Sequence, residues 1–395
     1  MSKTKIAIIH DCLHVGGTEK ALLTMLKFFD YQKYDVTLWL MDGSGELQAE
    51  LDERVMVRYY SNEGYPGKEL IKEYVRSRSY KRLIESMLNR VKSKKAINNH
   101  YENLKYSIFS LPLINDEEYD CVIVYQGLYM QLLATALGRL NARKRVLWIH
   151  MRFNHDREQI ESFRSVYQRF DKIYCVSNDL RDHFVNVYGM QDKTEVMHNC
   201  FDVNGIRKKA REAIDIDYGQ KSILTTVGRV SKEKGQLMIP EIASRLKNVG
   251  YDFVWLIIGK GNTEEELALK INEFHLDDTV LLLGNKLNPY PYIKKCTVYV
   301  QPSYSEGYCT STMEAKILGK PVVTTNVSGM NEQFTDGVDG MIADSANPDS
   351  VFNKLLEVCK SKEMQKSLSQ NAILKIVDNR YELTKLDRFI ERGKE

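Results

Sequence analysis

The stretch EGYCTSTME, residues 306–314, places two glutamates, Glu306 and Glu314, eight positions apart in the C-terminal half of the chain. An apolar run from Cys296 to Gln301 predicts a buried strand before it, and a helical pattern covers Ser311 to Leu318. The loop and the helix start are therefore expected at the carboxyl edge of a sheet, where open α/β sheets bind ligands. A helix amino terminus there offers N–H groups to a phosphate, and Glu314 can accept hydrogen bonds from both ribose hydroxyls.

The sequence around this stretch repeats the same strand-and-glycine pattern. ILTTVGRVSKEKG predicts a strand from Ile223 to Val227, followed by Arg229 and Lys234. WLIIGKG and VLLLGNKLNPYPYI each predict a buried strand that ends at a glycine, and Val322–Thr325 predicts another strand. Short apolar runs alternate with helical stretches in both halves, which indicates two α/β sheets rather than a bundle or a sandwich. Two domains are expected because 395 residues exceed a single compact core.

Seven short motifs follow one another in the C-terminal half: G-R, E-K-G, G-x-G, L-G, E-x7-E, G-K-P-V-V and G-x-x-E. In this order they resemble the donor-binding half of the retaining nucleotide-sugar glycosyltransferases of family 4. The resemblance implies an α/β chain of GT-B fold, with two Rossmann-like domains facing across a cleft. Residues 1–200 would form the acceptor-binding domain and residues 201–378 the donor-binding domain. Residues 379–395 would form a C-terminal helix that packs back on the first domain.

The resemblance also implies roles for individual residues. Arg229 and Lys234 would hold the donor diphosphate and stabilise the charge of the leaving group, so that no divalent metal is needed. Glu306 would contact hydroxyls of the donor sugar, Glu314 the ribose, and His150, at the end of a predicted strand, the donor sugar. The expected catalytic residues are His150, Glu306, Arg229 and Lys234. The expected donor-binding residues are Arg229, Lys234, Gly16, Gly17, Gly259, Asn285, Tyr308, Cys309, Thr310 and Glu314, with no metal and no further cofactor.

The amino-terminal stretch KIAIIHDCLHVGGTEKALLTMLKFF predicts a strand from Ile6 to His10, a loop with Gly16 and Gly17, and an amphipathic helix. Backbone N–H groups after such a strand can face a phosphate or a sugar. The three spaced glycines of the dinucleotide fingerprint are absent. The family resemblance implies that the two glycines lie over the donor phosphates or near the acceptor, and the alternative is an ordinary tight turn.

Charge is concentrated in one segment. The net charge of +3 is too small to indicate nucleic-acid binding, but Lys68–Lys95 carries ten Lys or Arg against three Glu. Apolar residues recur there at helical spacing, namely Leu70, Tyr74, Leu83, Met87, Leu88 and Val91. A basic amphipathic helix over 68–95 is predicted, either as a contact with the anionic inner membrane surface or as the solvated cover of the first sheet.

The seven cysteines are odd in number and form no C-x-x-C pair, so neither a disulfide framework nor a zinc site is expected. The sequence has no run approaching 18 apolar residues and no apolar segment of signal-peptide length at its start. A cytoplasmic protein, peripheral on the cytoplasmic face of the membrane, is therefore expected.

The predicted activity is transfer of a hexose or N-acetylhexosamine from a nucleoside diphosphate sugar, with UDP the expected nucleotide, to a glycan acceptor. The segments NPYPYI and EGYC resemble those of enzymes that assemble bacterial capsule, exopolysaccharide or teichoic-type glycans, which implies a lipid-linked acceptor. Two alternatives are a nucleotide-sugar epimerase on a similar fold and a non-catalytic transferase-like partner subunit. The D-x-D sequence Asp215–Asp217, typical of metal-dependent transferases, falls in the expected linker.

Overall fold

The computed structural model describes residues 3–63, 67–76, 79–345 and 347–392. Its chain divides into two compact units. Unit 1 contains residues 1–14, 25–198 and 381–395, and unit 2 contains residues 15–24 and 199–380. The boundaries after residues 198 and 380 each lie two residues from the predicted boundaries after 200 and 378, and the segment 15–24 groups with unit 2.

Unit 1 is built on a parallel sheet of seven strands in the order β3-β2-β1-β4-β5-β6-β7. The strands are β1 Thr4–His10, β2 Tyr34–Leu40, β3 Met56–Tyr59, β4 Glu118–Val124, β5 Asn141–Ile149, β6 Lys172–Cys175 and β7 Thr194–Val196. The helices that begin in the same part of the chain are α1 Gly17–Lys27, α2 Gly67–Arg76, α3 Tyr80–Lys95, α4 His100–Phe109, α5 Met130–Gly138, α6 Arg157–Tyr167 and α7 Asn178–Tyr188.

Unit 2 has a parallel sheet of six strands in the order β10-β9-β8-β11-β12-β13. Its elements in chain order are α8 Val203–Lys209, β8 Ser222–Val227, α9 Ile239–Asn248, β9 Phe253–Ile258, α10 Glu264–Glu273, β10 Val280–Leu282, α11 Tyr290–Lys295, β11 Val298–Gln301, α12 Thr310–Ile317, β12 Val322–Thr325, α13 Met330–Gln333, β13 Met341–Ala343, α14 Pro348–Lys360 and α15 Lys362–Leu374. The predicted α/β class is therefore confirmed.

Both strand orders reverse direction at one point, between β1 and β4 in unit 1 and between β8 and β11 in unit 2. Ligands of open α/β sheets bind in the crevice outside the carboxyl ends of the strands at such a switch point. In unit 2 this crevice is bordered by the loops that follow β8 and β11. These loops carry Arg229, Lys234 and Glu306.

The last helix, α16 Leu383–Glu391, belongs to unit 1. Asp387 accepts a hydrogen bond from the Tyr34 hydroxyl at 2.7 Å, and the Lys385 ammonium donates to the Val196 carbonyl at 2.8 Å. These contacts attach the end of the chain to β2 and β7. The helix therefore packs on the sheet of the first half of the sequence.

The sequence predicts one helix over the basic segment 68–95, but the structure has two. Helix α2 ends at Arg76 and α3 begins at Tyr80; residues 77–78 and the side chain of Leu70 lie outside the described part. Helix α3 packs inward through polar side chains, since the Ser86 hydroxyl donates to the Ser110 carbonyl at 2.5 Å. Its apolar side chains Ile84, Leu88 and Val91 are instead 51–60% exposed. A helix whose apolar stripe is exposed and whose inward contacts are made by polar side chains reverses the usual arrangement.

Candidate active site

A buried ion pair lies at the switch point of unit 2. The Lys234 ammonium is 2.6 Å from a carboxylate oxygen of Glu306. Lys234 lies in a 3-10 turn, Lys232–Lys234. Gly235 ends this turn with a φ of 70°, and a Cβ there would lie 1.9 Å from the Pro302 carbonyl oxygen. Only glycine permits this approach, which brings the loop after β8 against the loop after β11.

A chain of buried polar side chains supports Glu306 from behind. The second oxygen of Glu306 accepts a hydrogen bond from the Ser303 hydroxyl at 2.7 Å. Ser303 in turn accepts from the Gln301 amide at 3.0 Å, and Gln301 accepts from the Tyr299 hydroxyl at 3.0 Å. All four side chains are less than 10% exposed. This network fixes the carboxylate of Glu306 relative to strand β11.

The charge state of Lys234 follows from this pairing. Burial lowers the pKa of Lys234, but the neighbouring carboxylate of Glu306 more than offsets that effect, so the pKa of Lys234 is raised. The lysine is therefore a cation over the whole physiological range. It can stabilise negative charge that develops on a leaving phosphate.

Arg229 provides a second cation close to the end of β8. Its side chain is exposed and makes no hydrogen bond or ion pair with another described residue. Its backbone carbonyl accepts from the Gln236 amide at 2.8 Å, which orders the loop. A Cβ at Gly259, at the end of β9, would lie 2.0 Å from the Gly228 carbonyl oxygen. Both predicted cations thus follow β8, and the glycine of the G-x-G motif permits close approach of two strand ends.

The start of helix α12 forms another part of the site. Cys309 caps α12, which begins at Thr310, and Tyr308 and Cys309 are both buried. Burial raises the pKa of the Cys309 thiol to about 11, so that this residue is a neutral thiol. The first N–H groups of a helix have no partner within the helix. With the helix dipole they favour an anion at this position.

Glu314, one turn into α12, has a buried carboxylate that is 5% exposed. The Tyr290 hydroxyl on α11 donates to it at 3.0 Å, and the Lys20 ammonium lies 4.0 Å away. Lys20 is in the segment 15–24 that groups with unit 2. Sequence reasoning missed Lys20, Tyr290 and Ser303 as site residues, although Tyr290 lies in the quoted NPYPYI segment.

The paired glycines lie at the start of α1, which begins at Gly17. A Cβ at Gly16 would lie 2.1 Å from a carboxylate oxygen of Glu19, and one at Gly17 would lie 3.0 Å from the Thr310 hydroxyl. Gly17 is thus brought beside the start of α12. Asn285 is exposed and makes no hydrogen bond with another residue in the described part of the chain. The preceding Gly284 accepts a hydrogen bond from the Gly259 N–H at 2.9 Å.

His150 belongs to unit 1 and directly follows β5. Its ring lies 4.4 Å from the ring of Tyr125 and is stacked at 6.1 Å on that of Trp148. Burial, and then the nearby His10, lower the pKa of His150 to about 3. Its buried Nε2 has no hydrogen-bond partner in the described structure. His150 is therefore a neutral imidazole with one unsatisfied ring nitrogen at the carboxyl edge of its sheet.

No group of three or more His, Cys, Asp or Glu side chains suited to a metal ion is found among the described residues. The D-x-D sequence Asp215–Asp217 lies between α8 and β8, where Asp217 accepts the Gly219 N–H at 2.9 Å. This hydrogen bond is a local turn contact. The carboxylates at the switch point, Glu306 and Glu314, face cationic and hydroxyl groups instead.

Family models match both halves of the chain, and curated relatives match part of it. The model of "Glycosyltransferase Family 4" matches residues 15–204, and that of "Glycosyl transferases group 1" matches residues 207–375. A Campylobacter jejuni N-acetylgalactosamine-N,N'-diacetylbacillosaminyl-diphospho-undecaprenol 4-alpha-N-acetylgalactosaminyltransferase is 32% identical over 49% of this chain and 52% of its own length. An Escherichia coli UDP-Gal:alpha-D-GlcNAc-diphosphoundecaprenol alpha-1,3-galactosyltransferase is 31% identical over 40% of this chain and 41% of its own. The chain spans about half the length, or less, of the curated relatives it matches.

Solved structures extend the likeness to the whole chain. Anabaena HepE in complex with UDP and glucose has a TM-score of 0.74 at 16% identity and covers 98% of this chain and 100% of its own. S. aureus TarM has a TM-score of 0.71 at 15% identity, with 98% and 100% covered. At these identities the likeness shows the fold, which is GT-B. With its two family domains in sequence and the E-x7-E pair at the switch point, the chain belongs to the family 4 glycosyltransferases of GT-B fold.

Proposed function

We propose that this protein transfers a hexose or N-acetylhexosamine from a UDP sugar to a lipid-linked glycan, without a metal and with retention of the anomeric configuration. The observation that carries the proposal is the Lys234–Glu306 pair, with Arg229 after the same strand. Two cations and a helix start border the crevice where a diphosphate would lie. Two relatives named above are transferases, by their names, that act on diphospho-undecaprenol substrates.

In the proposed reaction the acceptor hydroxyl attacks the anomeric carbon from the face that the diphosphate leaves. The bond from that carbon to the phosphate oxygen breaks, and the leaving phosphate takes the hydroxyl proton. Lys234 and Arg229 stabilise the charge on the diphosphate, and the N–H groups at the start of α12 add to this effect. The protein supplies position and charge, so no covalent enzyme intermediate is required.

Glu306 and His150 would position the donor sugar. Glu306 is held by Ser303 and can accept hydrogen bonds from sugar hydroxyls once a phosphate competes for Lys234. A neutral His150 can form one hydrogen bond with a sugar hydroxyl through its unsatisfied Nε2. Glu314 would accept hydrogen bonds from the ribose hydroxyls. These would replace the hydrogen bond that it accepts from Tyr290.

The acceptor would be presented at an anionic membrane, which the basic segment 68–95 contacts. The exposed apolar side chains of α3 and the adjacent lysines support this part of the proposal. Among the described residues no helix has the length and apolar character needed to cross a bilayer. Each Lys or Arg near an anionic surface contributes about 1 kcal/mol to binding.

The test is a screen of nucleotide sugars in which nucleotide release is measured with and without an undecaprenol-diphosphate-linked glycan. UDP release that depends on the acceptor, with an α-linked product from an α-linked donor by NMR, is the expected result. Arg229→Gln should lower the rate, and Lys221→Gln, which changes an exposed cation at the other end of β8, should leave it unchanged. Epimerised nucleotide sugar without acceptor would establish the epimerase alternative. A correctly folded protein that binds no nucleotide sugar would indicate a non-catalytic subunit.

A further inference from the structure

A basic cavity lies in unit 1, outside the crevice where the donor is proposed to bind. Its volume is about 670 Å³, and it is bounded by α3, α4, the turn from α5 into β5, and the end of α6. The cavity includes Gly138 and Asn141, which precede or begin β5, so it lies at the amino edge of the sheet. His150 follows the other end of the same strand. The cavity is therefore separate from the carboxyl edge on which ligands of this fold bind.

The lining of this basic cavity is strongly cationic. It contains six Lys or Arg side chains and a single carboxylate, that of Glu85: the cations are Lys81, Arg82, Lys92, Lys105, Arg145 and Arg169. An excess of this size inside one concave surface focuses a positive potential. This positive potential favours the binding of an anion with several acceptor oxygens.

Most of these cations have no carboxylate partner among the described residues. Lys105 is the exception, with Glu102 at 2.6 Å. Arg82 donates to the Asn141 side chain at 2.8 Å, and Arg145 donates to the Ala136 carbonyl at 3.3 Å, near the end of α5. The Arg169 guanidinium lies 5.0 Å from the centre of the Phe109 ring and makes no hydrogen bond with a described residue.

Arg145 and Arg169 lie close to each other in this cavity, and the carboxylate of Asp171 only partly offsets the effect on Arg145. Burial lowers the pKa of Arg145, and the nearby Arg169 lowers it further; burial also lowers the pKa of Arg169. Helix dipoles account for the position of the Arg145 cation, because Arg145 contacts carbonyls near the end of α5. They do not account for Lys81, which is in the first turn of α3 and faces the cavity from its other side.

The wall formed by α3 is apolar next to this cavity. At 100° per residue, Ile84, Met87, Leu88 and Val91 form one stripe, and Lys81 and Lys92 flank it on the cavity side. Those four apolar side chains are 46–60% exposed, and Leu88 also lines the cavity. An anion site beside an exposed apolar stripe matches a phospholipid, whose headgroup phosphate adjoins its acyl chains.

We propose that this basic cavity binds the headgroup phosphate of an anionic phospholipid, while the stripe of Ile84, Leu88 and Val91 enters the boundary of the acyl chains. The phosphate is held by Lys81, Lys92 and Arg169 in charge-assisted hydrogen bonds. The site lies in unit 1 and is independent of the donor residues. It rests on the proposed membrane contact of the segment 68–95, to which it assigns a specific binding site, and it does not require the transfer reaction.

The experiment compares two variants of the full chain that lose equal charge. The cavity variant combines Lys81→Gln with Arg169→Gln, and the control combines Lys94→Gln with Lys95→Gln, two α3 lysines that do not line the cavity. Flotation measures binding to vesicles of equal phosphatidylcholine and phosphatidylglycerol. Surface attraction alone predicts the same loss for both, about fivefold per cation. We expect the cavity variant to lose at least about tenfold more than the control.

Soluble probes separate lipid from free phosphate. Calorimetric titration with dihexanoyl phosphatidylglycerol should give binding to the parent and to the control, and none to the cavity variant. Equal losses of vesicle binding in the two variants would overturn the proposal. Binding of inorganic pyrophosphate without binding of the short-chain lipid would overturn the lipid assignment in favour of a soluble phosphate. Thermal unfolding and UDP binding, measured on each variant, separate these outcomes from misfolding and from failure of the transfer reaction.

Discussion

Replacing Lys234 by methionine tests whether the ion pair at the switch point is an integral part of unit 2. The substitution keeps a long unbranched side chain but removes the positive charge that lies 2.6 Å from Glu306. At an effective dielectric constant of about 20, that separation corresponds to about 6 kcal/mol of attraction. Desolvation of both ions offsets part of this gain.

The expected cost comes from the carboxylate that remains. Glu306 is 5% exposed, so without Lys234 it is a buried anion that has only the Ser303 hydroxyl as a described side-chain donor. Removing one partner of a buried pair costs about 3–5 kcal/mol. The Lys234 side chain is 25% exposed, which places the expected loss at the lower end, about 3 kcal/mol of unfolding free energy.

A second substitution identifies the cause of that loss. Lys234→Met combined with Glu306→Gln removes both charges and keeps a group that can accept from Ser303. The unfolding free energy should then recover to within about 1 kcal/mol of the parent, since a neutral replacement of a buried pair is often nearly neutral in stability. UDP affinity should stay low in both variants, because the lysine is absent from both.

The assay must report on unit 2 alone, because a chain of two units does not unfold in one two-state step. The chain has three tryptophans, and Trp39 and Trp148 lie in unit 1. In a background with Trp39→Phe and Trp148→Phe, Trp255 reports on the core of unit 2, where its indole donates to the Thr226 hydroxyl at 3.0 Å. Urea unfolding followed by its fluorescence then gives the free energy. A cost below about 1 kcal/mol for Lys234→Met, or no recovery in the double variant, would refute the reasoning.

Three further outcomes follow from the site. EDTA should leave the transfer rate almost unchanged; a loss of more than about tenfold that magnesium restores would contradict the proposed metal-free mechanism. Glu314→Gln should mainly raise the donor KM and Glu306→Gln should mainly lower kcat, so equal effects on both constants would refute the assigned roles. His150 has a pKa of about 3 in the folded chain and about 6.5 in the unfolded chain. The unfolded chain therefore binds a proton first, and stability present above pH 6.5 is lost as the pH falls towards 3. Between pH 6.5 and 5 this loss is about 2 kcal/mol, and His150→Gln should remove it from the urea unfolding of unit 1.

The buried strands of unit 2 could be predicted from the sequence because a parallel sheet buries both faces of each strand. The predicted strand at Val322–Thr325 has the same bounds in the structure, and the one at Ile223–Val227 begins one residue earlier. Continuous apolar runs that end at glycine are characteristic of such strands. The E-x7-E spacing likewise places Glu306 before α12 and Glu314 inside it.

Other parts of the site depend on contacts that a local pattern does not contain. Lys234 meets Glu306 across 72 residues, and Tyr290 meets Glu314 across 24. The 3-10 turn at Lys232–Lys234 forms because Gly235 must approach Pro302, which is also distant in sequence. Residues 76–79 include no apolar residue, but a short polar stretch also occurs on the exposed face of a continuous helix, so it does not by itself predict the end of α2.

The exposure of the α3 stripe also differs from what periodicity indicates. An apolar stripe at helical spacing normally marks the face that packs on a core. In α3 the packing is instead made by Ser86 and Asn89, whose side chains donate to the carbonyls of Ser110 and Phe109. Periodicity therefore indicated helical structure in this segment, but only the partners of the polar side chains show which side of α3 is covered.

The Lys234–Glu306 pair links stability to the proposed chemistry. Without a ligand, each charge compensates the other in a place where neither would be stable alone. A donor diphosphate would offer Lys234 a second anion, and the hydroxyls of the donor sugar would offer Glu306 new hydrogen-bond donors. Both groups would exchange one partner for another without leaving a buried charge unpaired. The polar chain through Ser303 and Gln301 keeps the carboxylate in place during this exchange, so the site would need little rearrangement when the substrate binds.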